Sequence, residues 1–290
     1  RHLLNNGHQI SCVITSKQAP EYLKTQDDFK ELAKDLNIDF CTGSNINKFR
    51  DVIKSNKADI GVSMNYTGII PQSIIDLFSH GILNIHPGDL PRYRGNACLA
   101  WAIINGERKC GLCVHKMIGD ELDSGNIITR EYLDLNINTK ILDAWNWVND
   151  KAPGMVLKAL SLLEMNSSYL LEKQSKNQED ILRCYPRMPE DGKINWCKNS
   201  FEIIRLINAS GKPFKGAFCF FENFKVTIWD AEIVNDNENF FAIPGQVTLK
   251  SKEHIEVACG KGKILIKEIE IDGRIINPNQ IIKSIRSRFK

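Results

Sequence analysis

No stretch of this chain approaches the ~20 consecutive apolar residues that span a bilayer, and its first residues hold no apolar signal core. A soluble, cytoplasmic protein with no membrane partner is expected. Neither sign of charge dominates. Lys and Arg number 38 against 35 Asp and Glu, a net charge of +3, and the mixed-sign segments leave no basic stripe, which disfavours an extended nucleic-acid contact. Cysteine is present but unpatterned: nine residues, an odd number, are scattered over 290. A chain of that size does not need disulfide staples, so a reducing compartment is expected. Cys110 and Cys113 form a lone C-x-x-C with neither a second pair nor a nearby His, and no metal is expected there. Internal repeats and low-complexity tracts are also missing. What remains is ordinary globular composition, 42% hydrophobic and 25% charged, in a chain long enough for two domains.

The first two-thirds alternates strand and helix patterns, as an α/β domain with a largely parallel sheet does. Residues 10–15, 60–64, 111–117 and 127–135 read as strands; 27–36, 45–55, 72–78, 97–104 and 139–163 carry helical periodicity. The opening residues, Arg1 to His8, look like the tail of a helix ended by a glycine cap at Gly7. The strand that normally precedes such a helix in a doubly wound domain is thus expected to lie outside this numbering. Polar sequence over 166–191 reads as a linker between a domain at 1–165 and a second at 192–290. The second domain opens with a helix at 200–209, followed by short alternating segments at 217–221, 225–229, 245–248, 254–258 and 264–270. That arrangement suits a small β-barrel.

One run concentrates chemistry-bearing residues: Leu83-Asn84-Ile85-His86-Pro87-Gly88-Asp89-Leu90-Pro91-Arg92-Tyr93-Arg94-Gly95, with Leu122-Asp123-Ser124-Gly125 downstream. Residues two apart on a strand face one side. An amide donor, Asn84, and an imidazole, His86, can therefore converge on one small group. Asn and His at a strand end also suit a turn cap before Pro87, and a lone carboxylate such as Asp123 suits a surface; the residues by themselves leave both open. His115 alternates with apolar neighbours on a strand and reads as a core histidine.

The run resembles the Asn-x-His and Leu-Pro-x-Tyr-Arg-Gly signature of the folate-dependent formyltransferases, and Asp123 to Ile128 is similar to that family's second motif, Asp-Ser-Gly-x-Ile-Ile. The resemblance extends from about Leu3 to the C-terminus. It implies a Rossmann-like doubly wound catalytic domain followed by a small OB-like barrel, and formyl transfer from 10-formyltetrahydrofolate to a primary amine. It also implies roles. His86 would be the base, Asn84 the donor to the oxyanion, and Asp123 the residue that orients His86 or holds a relaying water. The folate slot would comprise Tyr66, Ile69, Ile70, Leu83, Gly119, Asp120 and Leu122, and the acceptor would meet Gly88 and Arg94. A homodimer stays open.

The acceptor must come from departures within the family. Methionyl-tRNA enzymes usually show Ser-Leu-Leu-Pro where this chain has Gly88-Asp89-Leu90-Pro91, and Ala-Ala-Pro where it has Asn96-Ala97-Cys98. They also carry a long basic insertion where 17–29 here is short and nearly neutral. Glycinamide ribonucleotide enzymes usually lack the second domain. What remains resembles the sugar N-formyltransferases, acting on a nucleotide-linked amino sugar for surface polysaccharide; the alternatives are methionyl-tRNA and another small amine, such as an ornithine or an aminoacyl carrier. Two non-enzymatic readings compete: a fold that lost its activity, which the intact Asn84, His86 and Asp123 oppose, and an RNA-binding barrel using Phe218, Phe220, Phe221 and Phe224. Around a glycine-marked turn these phenylalanines read as barrel core.

Overall fold

The computed structural model describes residues 1–235 and 238–290. Its internal contacts divide the chain into two units: Arg1–Cys98 with Cys110–Leu133 and Trp145–Tyr185, and Leu99–Lys109 with Asp134–Ala144 and Pro186–Lys290. Among the described residues no helix is long and apolar enough to cross a membrane.

In chain order the elements are α1 (His2–Asn5), β1 (Cys12–Thr15), α2 (Gln26–Asp35), β2 (Asp39–Thr42), α3 (Arg50–Asn56), β3 (Gly61–Met64), α4 (Gln72–Ile75), β4 (Ile82–His86), β5 (Arg94–Gly95), α5 (Cys98–Asn105), β6 (Lys109–Lys116), β7 (Ile127–Asp134), α6 (Ile141–Met165) and β8 (Arg183–Cys184). The site rests on a four-stranded sheet in the order β3-β4-β6-β7. It is mixed, not largely parallel as the alternating pattern suggests: β3 and β4 run parallel, β4 and β6 antiparallel. Central position explains the composition of β4. Paired on both edges and covered on both faces, it buries Ile82, Leu83 and Ile85, a near-continuous apolar run. A second pair, β1 and β2, runs parallel over four residues each. The Asp39–Thr42 strand was not signalled by the sequence, because polar Asp39 and Thr42 flank only two apolar residues. The helical pattern over 45–55 resolves into a 3₁₀ turn, Ile46–Phe49, leading into α3. Helix α6 places Val148, Ala152, Met155, Val156, Ala159, Leu160 and Leu163 on one buried stripe at helical spacing.

The second unit opens on α7 (Ser200–Ser210) and continues through β9 (Ala217–Phe221), β10 (Phe224–Ile228), β11 (Glu232–Ile233), β12 (Val247–Lys250), β13 (Ile255–Ala258), β14 (Lys263–Ile266), β15 (Ile269–Ile271) and β16 (Arg274–Ile276). A barrel is the expectation that needs correcting. The strands form two four-stranded antiparallel sheets, β16-β15-β10-β9 and β11-β14-β13-β12, and among the described residues these do not join into a closed barrel. The segment 264–270, which reads as one strand, is the reason in miniature. It breaks at Lys267 and Glu268, and its halves enter different sheets. Ile203, Ile207, Ala217, Val226, Ile228, Val257, Ile264, Ile266 and Ile269 fill the shared core.

Candidate active site

Asn84 and His86 lie two residues apart on β4 and share a face, as the strand period requires. The antiparallel register sets Asn84 opposite His115 on β6. The Asn84 amide Nδ2 donates to His115 Nε2 at 3.2 Å and to Asp123 Oδ1 at 3.4 Å. Asp123 Oδ2 stands 3.5 Å from His86 Nδ1 and accepts the Gly95 N–H at 2.9 Å. The three expected residues are therefore brought together. His115 is buried, as the sequence suggests, but it belongs to this cluster: its Nε2 lies 3.6 Å from Asp123 Oδ1, and its ring meets that of His86 edge-on at 6.3 Å. Only the strand register could have revealed this, and register is not written in β6 alone.

The tautomers follow from the partners. His86 Nε2 is 2.7 Å from the Tyr93 carbonyl oxygen, which only accepts, so Nε2 carries the proton and Nδ1 keeps its lone pair toward Asp123. His115 Nδ1 likewise faces the Lys116 carbonyl at 2.9 Å, leaving Nε2 to accept from Asn84. Burial pulls the His86 pKa below its ordinary 6.5, and the pull outweighs the opposing effects of Asp123 and the Tyr93 carbonyl. Burial pushes the Asp123 carboxyl up, but the facing His86 and His115 rings and the Gly95 N–H prevail and hold it below the ordinary carboxylate range. At neutral pH the pair is a neutral imidazole beside an ionised carboxylate. Two loops that support it hold left-handed residues: Tyr93 and Ala97 in one, with φ of 54° and 53°, and Asp123 in the other, with φ of 47°.

Gly88, expected to meet the acceptor, also stands against the His86 ring. A Cβ there would stand 2.4 Å from both His86 Nε2 and the Tyr93 oxygen, so glycine clears the space for that hydrogen bond. Cys98 adds a second donor to the same carbonyl, Sγ to O at 2.9 Å.

Residues 166–185 supply what the sequence did not announce. The chain returns across the first unit, where Leu171 N donates to the Ile127 oxygen and Arg94 N to the Leu182 oxygen. Gln174, buried, donates its Nε2 to the Asp123 and Gly125 carbonyls at 2.7 Å each, while its Oε1 accepts from Arg94 Nε and Nη2 at 3.2 and 2.7 Å. Beside it lies a cavity of about 280 Å³ lined by Arg94, Glu121, Leu122, Ser124, Ile181 and Arg183.

The residues expected to hold a folate divide into two groups. Ile69, Asp120 and Leu122 are exposed, with Ile69 78% accessible. Gly119 N donates to Gln72 Oε1 at 2.9 Å, which pins the 118–122 loop to the start of α4. A Cβ on Gly119 would reach 2.1 Å from Gln72 N, so this approach requires glycine. The side chains of Tyr66, Ile70 and Leu83 instead point into the core: Tyr66 donates its hydroxyl to the Gly43 oxygen, and Ile70 and Leu83 are 5% and 0% exposed. Ile69, Ile118 and Leu122 are exposed apolar side chains, the kind of surface that could take a flat heteroaromatic ring.

Comparison with known proteins gives this geometry its setting. A methionyl-tRNA formyltransferase of Rickettsia bellii (strain RML369-C) is 28% identical over 98% of this chain and 92% of its own. One from Rickettsia massiliae (strain Mtu5) is 31% identical over 92% and 86%. Among solved structures, WlaRD, described as a sugar 3N-formyl transferase in the presence of dTDP and 5-N-formyl-THF, superposes with a TM-score of 0.63 at 20% identity, covering 92% of this chain and 100% of its own. Residues 2–160 match the formyl transferase family and residues 187–286 the formyl transferase C-terminal domain, and the chain belongs to that family.

Proposed function

We propose that this chain transfers a formyl group from 10-formyltetrahydrofolate to a primary amine carried by a nucleotide-linked amino sugar. The observation that carries the reaction is the placement of one pair: His86 Nε2 lies 2.7 Å from the Tyr93 carbonyl oxygen, the arrangement in which it donates, and Nδ1 lies 3.5 Å from Asp123 Oδ2. Nδ1 would take the proton of the incoming ammonium, Asp123 Oδ2 would stabilise the imidazolium so formed, and the imidazolium would return the proton to the folate nitrogen that leaves as its bond to the formyl carbon breaks; such a base contributes roughly 10² to 10⁴ in rate. The bound folate supplies the formyl carbonyl, and Ile69, Ile118, Gly119, Asp120 and Leu122 would hold its ring. Asn84 has both amide hydrogens engaged, the one to Asp123 at a long 3.4 Å. Swinging that weaker bond onto the carbonyl oxygen, where negative charge builds, contributes about 10² to 10³.

The cavity lined by Arg94 and Arg183 supports an anionic acceptor. The short 17–29 segment supports a compact one: Tyr22 donates its hydroxyl to the Asn65 oxygen, and Gln26 its side-chain amide to the Ser16 oxygen, which ties the segment down. A second reading, methionyl-tRNA as acceptor, is favoured by the nearly full-length relatives that carry that name. Tetrahydrofolate release from 10-formyltetrahydrofolate, measured with dTDP- and UDP-linked amino sugars beside methionyl-tRNA over a salt series, separates the two. The expected result is release dependent on one amino sugar with shallow salt dependence; release with methionyl-tRNA alone, falling steeply with salt, would select the second reading.

A further inference from the structure

We infer that Arg183 is a specificity-determining residue that completes, with Arg94, a subsite for the diphosphate of the acceptor. The inference rests on the nucleotide-linked acceptor proposed above. Strands β5 and β8 pair in parallel with Arg94 opposite Arg183 and Gly95 opposite Cys184. Partners in register face the same side of a sheet, so two guanidiniums converge on one mouth. Arg183 lies directly against Gly95: a Cβ on that glycine would meet Arg183 Nε at 3.2 Å and Cζ at 3.4 Å. Gly95 in turn gives its N–H to Asp123.

Both guanidiniums are held before any ligand arrives. Gln174 Oε1 fixes Arg94 through two hydrogen bonds, and the Tyr185 ring lies 5.3 Å from the Arg183 guanidinium carbon. The lining holds two guanidiniums and one carboxylate, Glu121, which accepts the Ser124 hydroxyl; Asp123 and Glu121 both act on Arg94, so Arg183 is the guanidinium left to meet an incoming anion. Its roughly 280 Å³ falls at the small end of ligand sites and suits two linked phosphates better than a whole nucleotide. Planar, bidentate donors match phosphate oxygens.

The test is steady-state kinetics of wild type, Arg183→Ala and Arg183→Lys with the amino-sugar nucleotide, with the free amino sugar, and with UDP and dTDP as inhibitors. Arg183→Ala is expected to raise the KM for the sugar nucleotide about 10- to 100-fold, the loss of a charge-assisted hydrogen bond, with kcat within about threefold. The KM for the folate donor and the rate with free amino sugar stay unchanged, UDP or dTDP inhibition weakens in parallel, and Arg183→Lys falls between. An unchanged KM in Arg183→Ala, or a loss confined to kcat, overturns the inference while leaving the acceptor class intact. A wild type active on methionyl-tRNA and on no sugar nucleotide overturns both.

Discussion

Gln174 holds three partners with one side chain, and the cost of losing it is calculable. Gln174→Ala strips the buried Asp123 and Gly125 carbonyls of their donor and Arg94 of its acceptor. Stability is expected to fall by about 1–3 kcal/mol in a urea titration. Turnover should fall by up to about 10², as small displacements of a catalytic group do; wild-type kinetics would show that Asp123 needs no such hold. Asn84, His86 and Asp123 were legible through the resemblance of their two motifs to a family's signature, since the residues alone left a turn cap and a surface carboxylate open. Gln174 and Arg183 were not, since each acts only where a returning chain meets another. The departures at Asp89 and Cys98, read as signals of the acceptor, also have partners within the fold. Asp89 takes Arg130 Nη1 at 2.8 Å and the Tyr132 hydroxyl at 3.0 Å, and Cys98 bonds the Tyr93 carbonyl, so both are explained by contacts within the fold.

At the level of elements, local chemistry shows best at helix starts. Helix α7 begins with a capping box in which Asn199 Oδ1 accepts from Glu202 N at 2.9 Å and Glu202 Oε2 from Asn199 N at 3.1 Å. Asn199→Ala is expected to cost about 1 kcal/mol, read as a lower denaturation midpoint at unchanged slope, whereas Lys198→Ala, at an exposed pair, should be nearly silent. The helix itself, read as 200–209, is found at Ser200–Ser210. Strand fates were harder, because they are decided by pairing across the molecule. Phe218 and Phe221 enter the core at 8% and 6% exposure, yet Phe220 and Phe224 remain 36% and 43% exposed, so only half of that cluster is core. The split of β14 from β15 is likewise invisible in a stretch whose hydrophobic alternation hardly falters.

For the whole molecule, the site itself sets a sensitivity to acid. His86 and Asp123 both have folded-state pKa values below their ordinary 6.5 and 3.8. The unfolded chain therefore binds more protons as pH falls, first at His86 and then at Asp123, and stability is lost in that order. Tm is expected to decline between about pH 7.5 and pH 5, before most carboxylates titrate. His86→Gln, which can still donate to the Tyr93 carbonyl, should flatten that limb, and equal slopes in the two proteins would refute the assignment. The return of residues 166–185 over the first unit carries one more consequence, for biosynthesis. Asn84, His86 and Asp123 leave the ribosome long before Gln174 does, so a nascent chain ending at Met165 holds every reacting group and none of the bonds that seat Asp123 from behind. The backing of Asp123 arrives only with the translation of residues 166–185, which bring Gln174 and Arg183.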